Sequence, residues 1–156
     1  MDALHKMITL ATAAHSGQRD KAGMPYIIHP LWVMLMMSKE YPDIDVLCVA
    51  VGHDLIEDTE VTAQELIVEG FSQRVVDGIL ALTKDPGESY ADYKTKVLSN
   101  RDAMRVKFYD LTHNMDLRRL PEVTENDLVR QKKYKAFRDL IRIELADDRL
   151  ILSPIN

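Results

Sequence analysis

The sequence predicts an all-α fold in one domain. Apolar residues recur at helical spacing in segment after segment, the few Gly and Pro residues fall between those segments, and no stretch alternates apolar and polar residues between turn signals as a strand would. At 156 residues the chain is long enough to bury one hydrophobic core without disulfide or metal staples, and it is the length of one ordinary domain rather than two. No repeat, low-complexity stretch or Gly/Ser linker divides it.

The elements follow in order. Residues 2–15 carry Leu4, Met7, Ile8, Ala11 and Ala14 on one helical face and meet Gly17 as a stop. Residues 17–29 read as loop, with Tyr26, Ile27 and Ile28 capable of brief extension. A second helix over 30–40 opens with Pro30 in the first turn, where a missing N–H is tolerated, and Tyr41-Pro42-Asp43 ends it. A third helix over 44–58 is apolar on nearly every side at first, through Val46, Leu47, Val49, Ala50 and Val51, which marks a central buried rod, and is densely charged at its far end. Thr62 with Glu65 and Thr124 with Asp127 have the spacing of reciprocal capping boxes, and Ser72 and Ser89 are placed to cap the helices that follow them. These signals add up to about seven or eight helices, the C-terminal one over about 124–148.

Composition narrows the function. The 46% hydrophobic and 29% charged content is that of a soluble globular protein, and no apolar run approaches the ~20 residues that span a bilayer. Asp2, His5, Lys6 and Thr9 break up any apolar segment near the N-terminus, so no signal peptide is read there and a cytoplasmic location is expected. Cys48 is the sole cysteine, which rules out an intrachain disulfide or a Cys-based zinc site and suits core packing. A net charge of -5 argues against nucleic acid as a partner, because such surfaces gather cations. A small anionic ligand remains compatible, since a bound divalent cation would offset several carboxylates.

Two charged clusters carry chemistry. At about 100° per residue, His53, Asp54, Glu57 and Asp58 fall within an arc of ~140° on the third helix and share one face. Burying such groups is costly unless they are paired or bound to a cation, and a divalent metal accounts for them economically; the plainer alternative is a solvated helix end. Lys107, Asp110, His113 and Asn114, at i, i+3, i+6 and i+7, form a second one-sided cluster. His29, just before Pro30, is a third candidate, although a lone histidine there is commonly structural.

In chain order, Ala14-His-Ser-Gly-Gln18, Lys21-Ala-Gly23, Pro25-Tyr-Ile-Ile-His-Pro30, His53-Asp-Leu-Ile-Glu-Asp-Thr59, Leu82-Thr-Lys84 and Val106-Lys-Phe-Tyr-Asp-Leu-Thr-His-Asn-Met115 resemble the hydrolase domain of RelA/SpoT enzymes, within the HD phosphohydrolase superfamily. The resemblance runs from about residue 14 to 120 in the family's motif order. It implies a single HD-domain helical bundle over 1–156 that is similar to the small alarmone hydrolases, including the animal-type ones, and has no synthetase domain. It also implies removal of the 3′-pyrophosphate of ppGpp, pppGpp or ppApp with manganese as cofactor. His29, His53, Asp54 and Asp110 are then the metal ligands, and Glu57 and Asp58 the catalytic pair, their individual roles open. Two imidazoles and two carboxylates suit manganese or ferrous iron better than structural zinc, and ligand type alone does not choose between them or exclude another divalent ion.

A polyanionic substrate calls for converging cations, and Arg19, Lys21, Lys84 and Lys107 are the candidates, with Asn114 matching a family asparagine that approaches the ribose. Lys21 matches the family's basic loop against the nucleotide. Lys84 and Lys107 read equally well as surface charge, and Arg118 and Arg119 as a solvated helix end. The chain departs from the family pattern at Asp20, where arginine is usual, and at Leu111, where arginine commonly follows the metal aspartate; both put base specificity in question. Alternatives are another HD-type nucleotide phosphohydrolase, such as an NADPH phosphatase or a 5′-nucleotidase-like enzyme, and a non-catalytic alarmone sensor. Oligomeric state is not encoded in any motif.

Overall fold

Helix starts are set by side chains that accept the first unpaired amides. In the computed structural model, which describes residues 2–146, Asp2 caps α1 (Ala3–Ala14), Asp43 caps α3 (Ile44–Gly52), Ser72 caps α6 (Gln73–Leu82), Ser89 caps α7 (Tyr90–Leu98) and Asn100 caps α8 (Arg101–Asn114). Both capping boxes form: Thr62 with Glu65 opens α5 (Ala63–Val68), and Thr124 with Asp127 opens α9 (Glu125–Glu144). Each such cap stabilises its helix by about 1 kcal/mol. Residues 147–148, expected to end the last helix, lie outside the described residues.

α2 (Ile28–Met37) starts two residues ahead of Pro30, which still occupies its first turn. The larger difference lies in the third helix. Instead of one rod over 44–58, helix α3 stops at Gly52, the backbone departs from typical helical angles at Asp54, and the chain resumes as the single turn α4 (Leu55–Asp58). The His53 ring explains the break. Its Nδ1 lies 2.7 Å from the carbonyl oxygen of Ala50, the acceptor that a continuous helix would offer to the amide of Asp54. Asp54 then sits at φ −104°, ψ 0°, outside the helical well. Among the described residues there are nine α-helices and a short 3-10 turn, Leu117–Arg119; counted as one interrupted rod, α3 and α4 bring the total to the eight expected.

All of residues 46–52 are buried, so α3 is the central element, packed by α1, α2, α6 and α8, with α9 closing over α7 and α8. α3 and α6 meet at two glycines. A Cβ at Gly52 would stand 2.7 Å from Ile79 Cδ1, and one at Gly78 would stand 2.7 Å from Val49 Cγ2, distances that allow no side chain. Cys48 is fully buried, as core packing requires. The expected extension near 26–28 takes a different form: residues 17–27 make a tight hairpin-like loop closed by an isolated antiparallel bridge between Arg19 and Pro25. Gly23, at φ +80°, turns it. No described helix is long and apolar enough to cross a membrane.

Candidate active site

Three chain segments bring four residues together. His29 comes from the first turn of α2, His53 and Asp54 from the α3/α4 break, and Asp110 from the buried face of α8. His29 Nε2 and His53 Nε2 lie 3.2 Å apart, His29 Nε2 is 3.0 Å from Asp110 Oδ1, and His53 Nε2 is 3.0 Å from Asp54 Oδ2. The remaining imidazole–carboxylate distances are 3.7 Å and 3.8 Å. The helix break serves this convergence, because it swings Asp54 round to meet the His53 ring instead of following it about 100° further along a rod.

This set fits a divalent cation. The donor atoms approach one another as closely as neighbouring ligands do around an ion with bonds of about 2.0–2.2 Å. The outer ring nitrogens are occupied, which leaves Nε2 of each imidazole to face inward: His53 Nδ1 is bonded to Ala50, and His29 Nδ1 lies 2.7 Å from His113 Nδ1. His29, His53 and Asp54 form a group able to hold a metal, and Asp110 approaches both imidazoles from the α8 side.

The carboxylates are fixed as firmly. Tyr26 donates its hydroxyl to Asp54 Oδ2, Lys107 Nζ donates to Asp110 Oδ2 at 2.6 Å, and Asn114 Nδ2 donates to Asp110 Oδ1 at 2.6 Å. Burial would raise the Asp110 pKa, but Lys107 and the two imidazoles hold it well below the ordinary carboxylate value. Burial likewise opposes charge on His53, yet Asp54 and Asp110 push its pKa well above the usual imidazole value. His113 shows the opposite balance: burial and the neighbouring His29 bring its pKa down to about 4, so it stays neutral beside His29. It is stacked between His29 and Trp32.

Glu57 and Asp58 stand one turn on, in the wall of a cavity of about 270 Å³ lined also by Asp54, Asp110, Lys84 and Lys107. Both keep a raised pKa, first from shielding by the surrounding protein and then from the nearby charge of Asp54. Glu57 Oε2 accepts the backbone N–H of Lys84 at 3.2 Å, tying the α4 turn to the end of α6. Tyr26 and Asn114 connect this cavity with a second, of about 290 Å³, lined by Arg19, Asp20, Lys21, Arg119 and Arg130.

The expected substrate residues therefore divide. Arg19 and Lys21 line the second cavity, where Arg19 donates to the carbonyl of Gly23 and Lys21 Nζ lies 3.7 Å from Asp127. Lys84 lines the first. Lys107 and Asn114 line it too, but their first partner is Asp110, so they position its carboxylate as well as face the cavity. Asp20 projects no free acid at the loop: Oδ1 accepts from the amides of Ala22 and Met24 at 2.9 Å, and Oδ2 from Arg119 at 2.8 Å. Arg119 is thus a loop anchor rather than a solvated helix end. Leu111, the other departure, is buried in the core.

Several lining residues carry no sequence signal of their own. Tyr26 lies inside a quoted motif, yet its contact with Asp54 is not something spacing reveals. Tyr90, Tyr93, Lys133 and Tyr134 enter the cavity from α7 and α9, elements brought there only by tertiary packing. The basic and aromatic run Arg130-Gln-Lys-Lys-Tyr134 was the one available hint.

No family model matches the chain. Curated relatives do: it is 35% identical over 125 residues to the guanosine-3′,5′-bis(diphosphate) 3′-pyrophosphohydrolase of Vibrio cholerae, covering 74% of this chain and 18% of that protein. It is 32% identical over 118 residues to the protein of the same name from Aquifex aeolicus, covering 72% and 17%, and 33% identical over 123 residues to the bifunctional (p)ppGpp synthase/hydrolase SpoT of Escherichia coli, again 72% and 17%. The chain thus spans under one fifth of the length of these relatives. A solved structure of a metazoan ortholog of SpoT that hydrolyses ppGpp has the same fold, with a TM-score of 0.72 at 23% identity over 93% of this chain and 86% of that one. About one third identity across nearly three quarters of the chain, together with that shared helical fold, places the protein in the RelA/SpoT-type hydrolase group of the HD phosphohydrolases.

Proposed function

We propose that the protein hydrolyses the 3′-pyrophosphate of a purine alarmone, ppGpp, pppGpp or ppApp, to the nucleoside 5′-phosphate and pyrophosphate, with manganese held by His29, His53, Asp54 and Asp110. The observation that carries the proposal is the juxtaposition of that donor set, through Asp54 and Asp110, with Glu57 and Asp58 in the lining of one cavity, which shares Tyr26 and Asn114 with a second lined by Arg19 and Lys21. The names of the relatives support the substrate class.

The reaction forms a bond from a water oxygen to the phosphorus next to the ribose 3′-oxygen and breaks the bond between them, and the ribose oxygen leaves with a proton. A divalent ion in the four-residue site supplies charge neutralisation at that phosphorus and makes a water more acidic. Glu57 exchanges the proton, a task its raised pKa favours, and Asp58 orients the attacking water. Tyr26, Lys107 and Asn114 hold the carboxylate ligands, so the site needs little rearrangement as charge develops. Lys84 meets the phosphates in the first cavity; Arg19 and Lys21 meet the nucleotide in the second.

The test is a manganese-dependent activity panel on ppGpp, pppGpp, ppApp and NADPH with the products identified. Pyrophosphate and a nucleoside 5′-phosphate from an alarmone are expected. Release of inorganic phosphate from NADPH or simple nucleotides with all three alarmones left intact would overturn the proposal in favour of another phosphohydrolase activity, and tight alarmone binding without turnover would make the protein a sensor.

A further inference from the structure

Charge within the first cavity is uneven. Asp54, Glu57, Asp58 and Asp110 line it, and of the three lysines in the same lining Lys107 is already committed to Asp110. Lys84 and Lys133 form no ion pair among the described residues. Lys133 is an unusual cation. It projects from α9, the helix that closes over the site, and its Nζ lies 3.8 Å from the centre of the Tyr90 ring, close enough for direct attraction to the ring face. The Tyr90 ring is itself fixed edge-on against Phe137 at 6.1 Å, which pins α7 to α9. The Tyr90 hydroxyl is buried without a hydrogen-bond partner, although burial of an unpaired hydroxyl is costly. Among the described residues, an ammonium without a counter-ion and a hydroxyl without an acceptor thus lie together in the lining of the cavity that holds the carboxylates.

From this geometry we infer that Lys133 and Tyr90, with Lys84 beside them, form a subsite for the outer phosphate of the substrate's 3′-pyrophosphate, the phosphate one bond beyond the phosphorus under attack. The inference rests on the proposed 3′-pyrophosphohydrolase activity and deepens it. A phosphate there supplies both missing partners: an anion for the two ammonium groups and an acceptor oxygen for the Tyr90 hydroxyl. The inner phosphate then lies toward His29, His53, Asp54 and Asp110, and the nucleotide extends past Tyr26 and Asn114 into the second cavity. The subsite gives the enzyme a means to prefer a pyrophosphate over a monophosphate ester: a single phosphate occupies the inner position and leaves Lys133 and Tyr90 without a ligand. Specificity for the length of the phosphate chain is thereby separated from chemistry at the metal ligands.

The experiment uses manganese-loaded wild-type protein, Lys133→Gln, Lys133→Arg and Tyr90→Phe. Pyrophosphate, inorganic phosphate and GDP are tested as ligands by calorimetry, and ppGpp as substrate. Lys133 is exposed, so its variants fold normally. Lys133→Gln is expected to weaken pyrophosphate binding and raise the KM for ppGpp by about tenfold each, as loss of one charge-assisted hydrogen bond would, with kcat retained. Inorganic phosphate and GDP should bind within about twofold of wild type, Lys133→Arg should restore most of the loss, and Tyr90→Phe, which keeps the ring, should give a smaller loss of the same kind. Unchanged pyrophosphate binding in Lys133→Gln, or an equal loss for GDP, which would place Lys133 at the 5′-diphosphate, overturns the inference. Pyrophosphate binding is read without turnover, so a wild-type protein that leaves ppGpp intact would sink the proposed activity while the subsite is judged on its own.

Discussion

In the buried cluster beside the first cavity, His29, His53, Asp54 and Asp110 each have a second group holding the side chain in place: His113, the Ala50 carbonyl, Tyr26, and Lys107 with Asn114. On the facing side and in the adjoining cavity, Lys21 is 64% exposed with its nearest carboxylate 3.7 Å away, and Lys84 and Lys133 form no ion pair among the described residues. The difference follows from what each side must hold. Ligand atoms around an ion tolerate little displacement, so the buried wall is ordered before anything binds. A flexible polyanion is gathered at less cost by cations on mobile stems, which retain their hydration until it arrives. Substitutions in the ordered wall should therefore disturb metal, fold and rate together, and those on the cationic side should change substrate affinity alone.

Asp110→Ala should have the largest effect. It removes a proposed ligand and leaves the Lys107 ammonium buried without the carboxylate now 2.6 Å from it. Breaking a buried pair on one side costs about 3–5 kcal/mol, so denaturant unfolding of the metal-free protein should show a loss of that order, in addition to lost manganese on elemental analysis. Full manganese content would refute the ligand assignment. A substitution of Lys107 and Asp110 together by apolar residues should recover part of the stability and none of the metal, which separates the two roles.

Glu57→Gln comes next for activity and far lower for stability. The side chain accepts only the Lys84 amide at 3.2 Å, and an amide oxygen can take over that bond. Manganese content should be retained while kcat falls by about 10²–10⁴, the usual worth of a positioned acid or base. A rate close to wild type would move the proton-transfer role to Asp58.

The same contrast explains which parts of the molecule were legible in the sequence. Caps are local, so Thr62 with Glu65, Thr124 with Asp127, Ser72 and Ser89 are readable from a few consecutive residues. His53, Asp54 and Asp110 stood out through one-sided helical spacing, whereas His29 was joined to them only by the resemblance to the RelA/SpoT motifs. The interruption at His53 and Asp54 was not, since propensity and periodicity both continue through it, and the cause is one side-chain hydrogen bond to Ala50. Asp20 looked like an acid facing the nucleotide because its neutralising partner, Arg119, lies 99 residues away in the chain. Lys133 and Tyr90 carry no local mark either, as their neighbours are set by how α7 and α9 pack. Residues that act through a local pattern could be read in advance; those that act through a tertiary partner required the fold.

His113→Ala tests the ordered wall from its outer layer. The ring touches no substrate position; it fixes the tautomer of His29 across 2.7 Å and stacks at 4.3 Å on Trp32. Loss of such a supporting partner typically lowers metal affinity by about 10–100-fold, so competition with a chelator should strip manganese at correspondingly lower concentrations. Activity at saturating manganese should largely recover. A rate that stays low with the metal site full would mean that His113 contributes to the reaction itself.

Lys21→Ala should give the smallest change and is the sharpest probe of the other side. Its ammonium is exposed and shares Asp127 with Arg130, which lies closer at 2.7 Å, so removing it leaves that carboxylate paired. The thermal midpoint should move by no more than about 2 °C, since exposed pairs contribute little. The KM for ppGpp should rise by roughly fivefold with kcat and manganese content unchanged, and the rise should shrink as salt is added, because the lost interaction is a screened one between an exposed cation and a phosphate. A fall in kcat at unchanged KM would place Lys21 with the ordered wall and remove the division of labour drawn between the two sides.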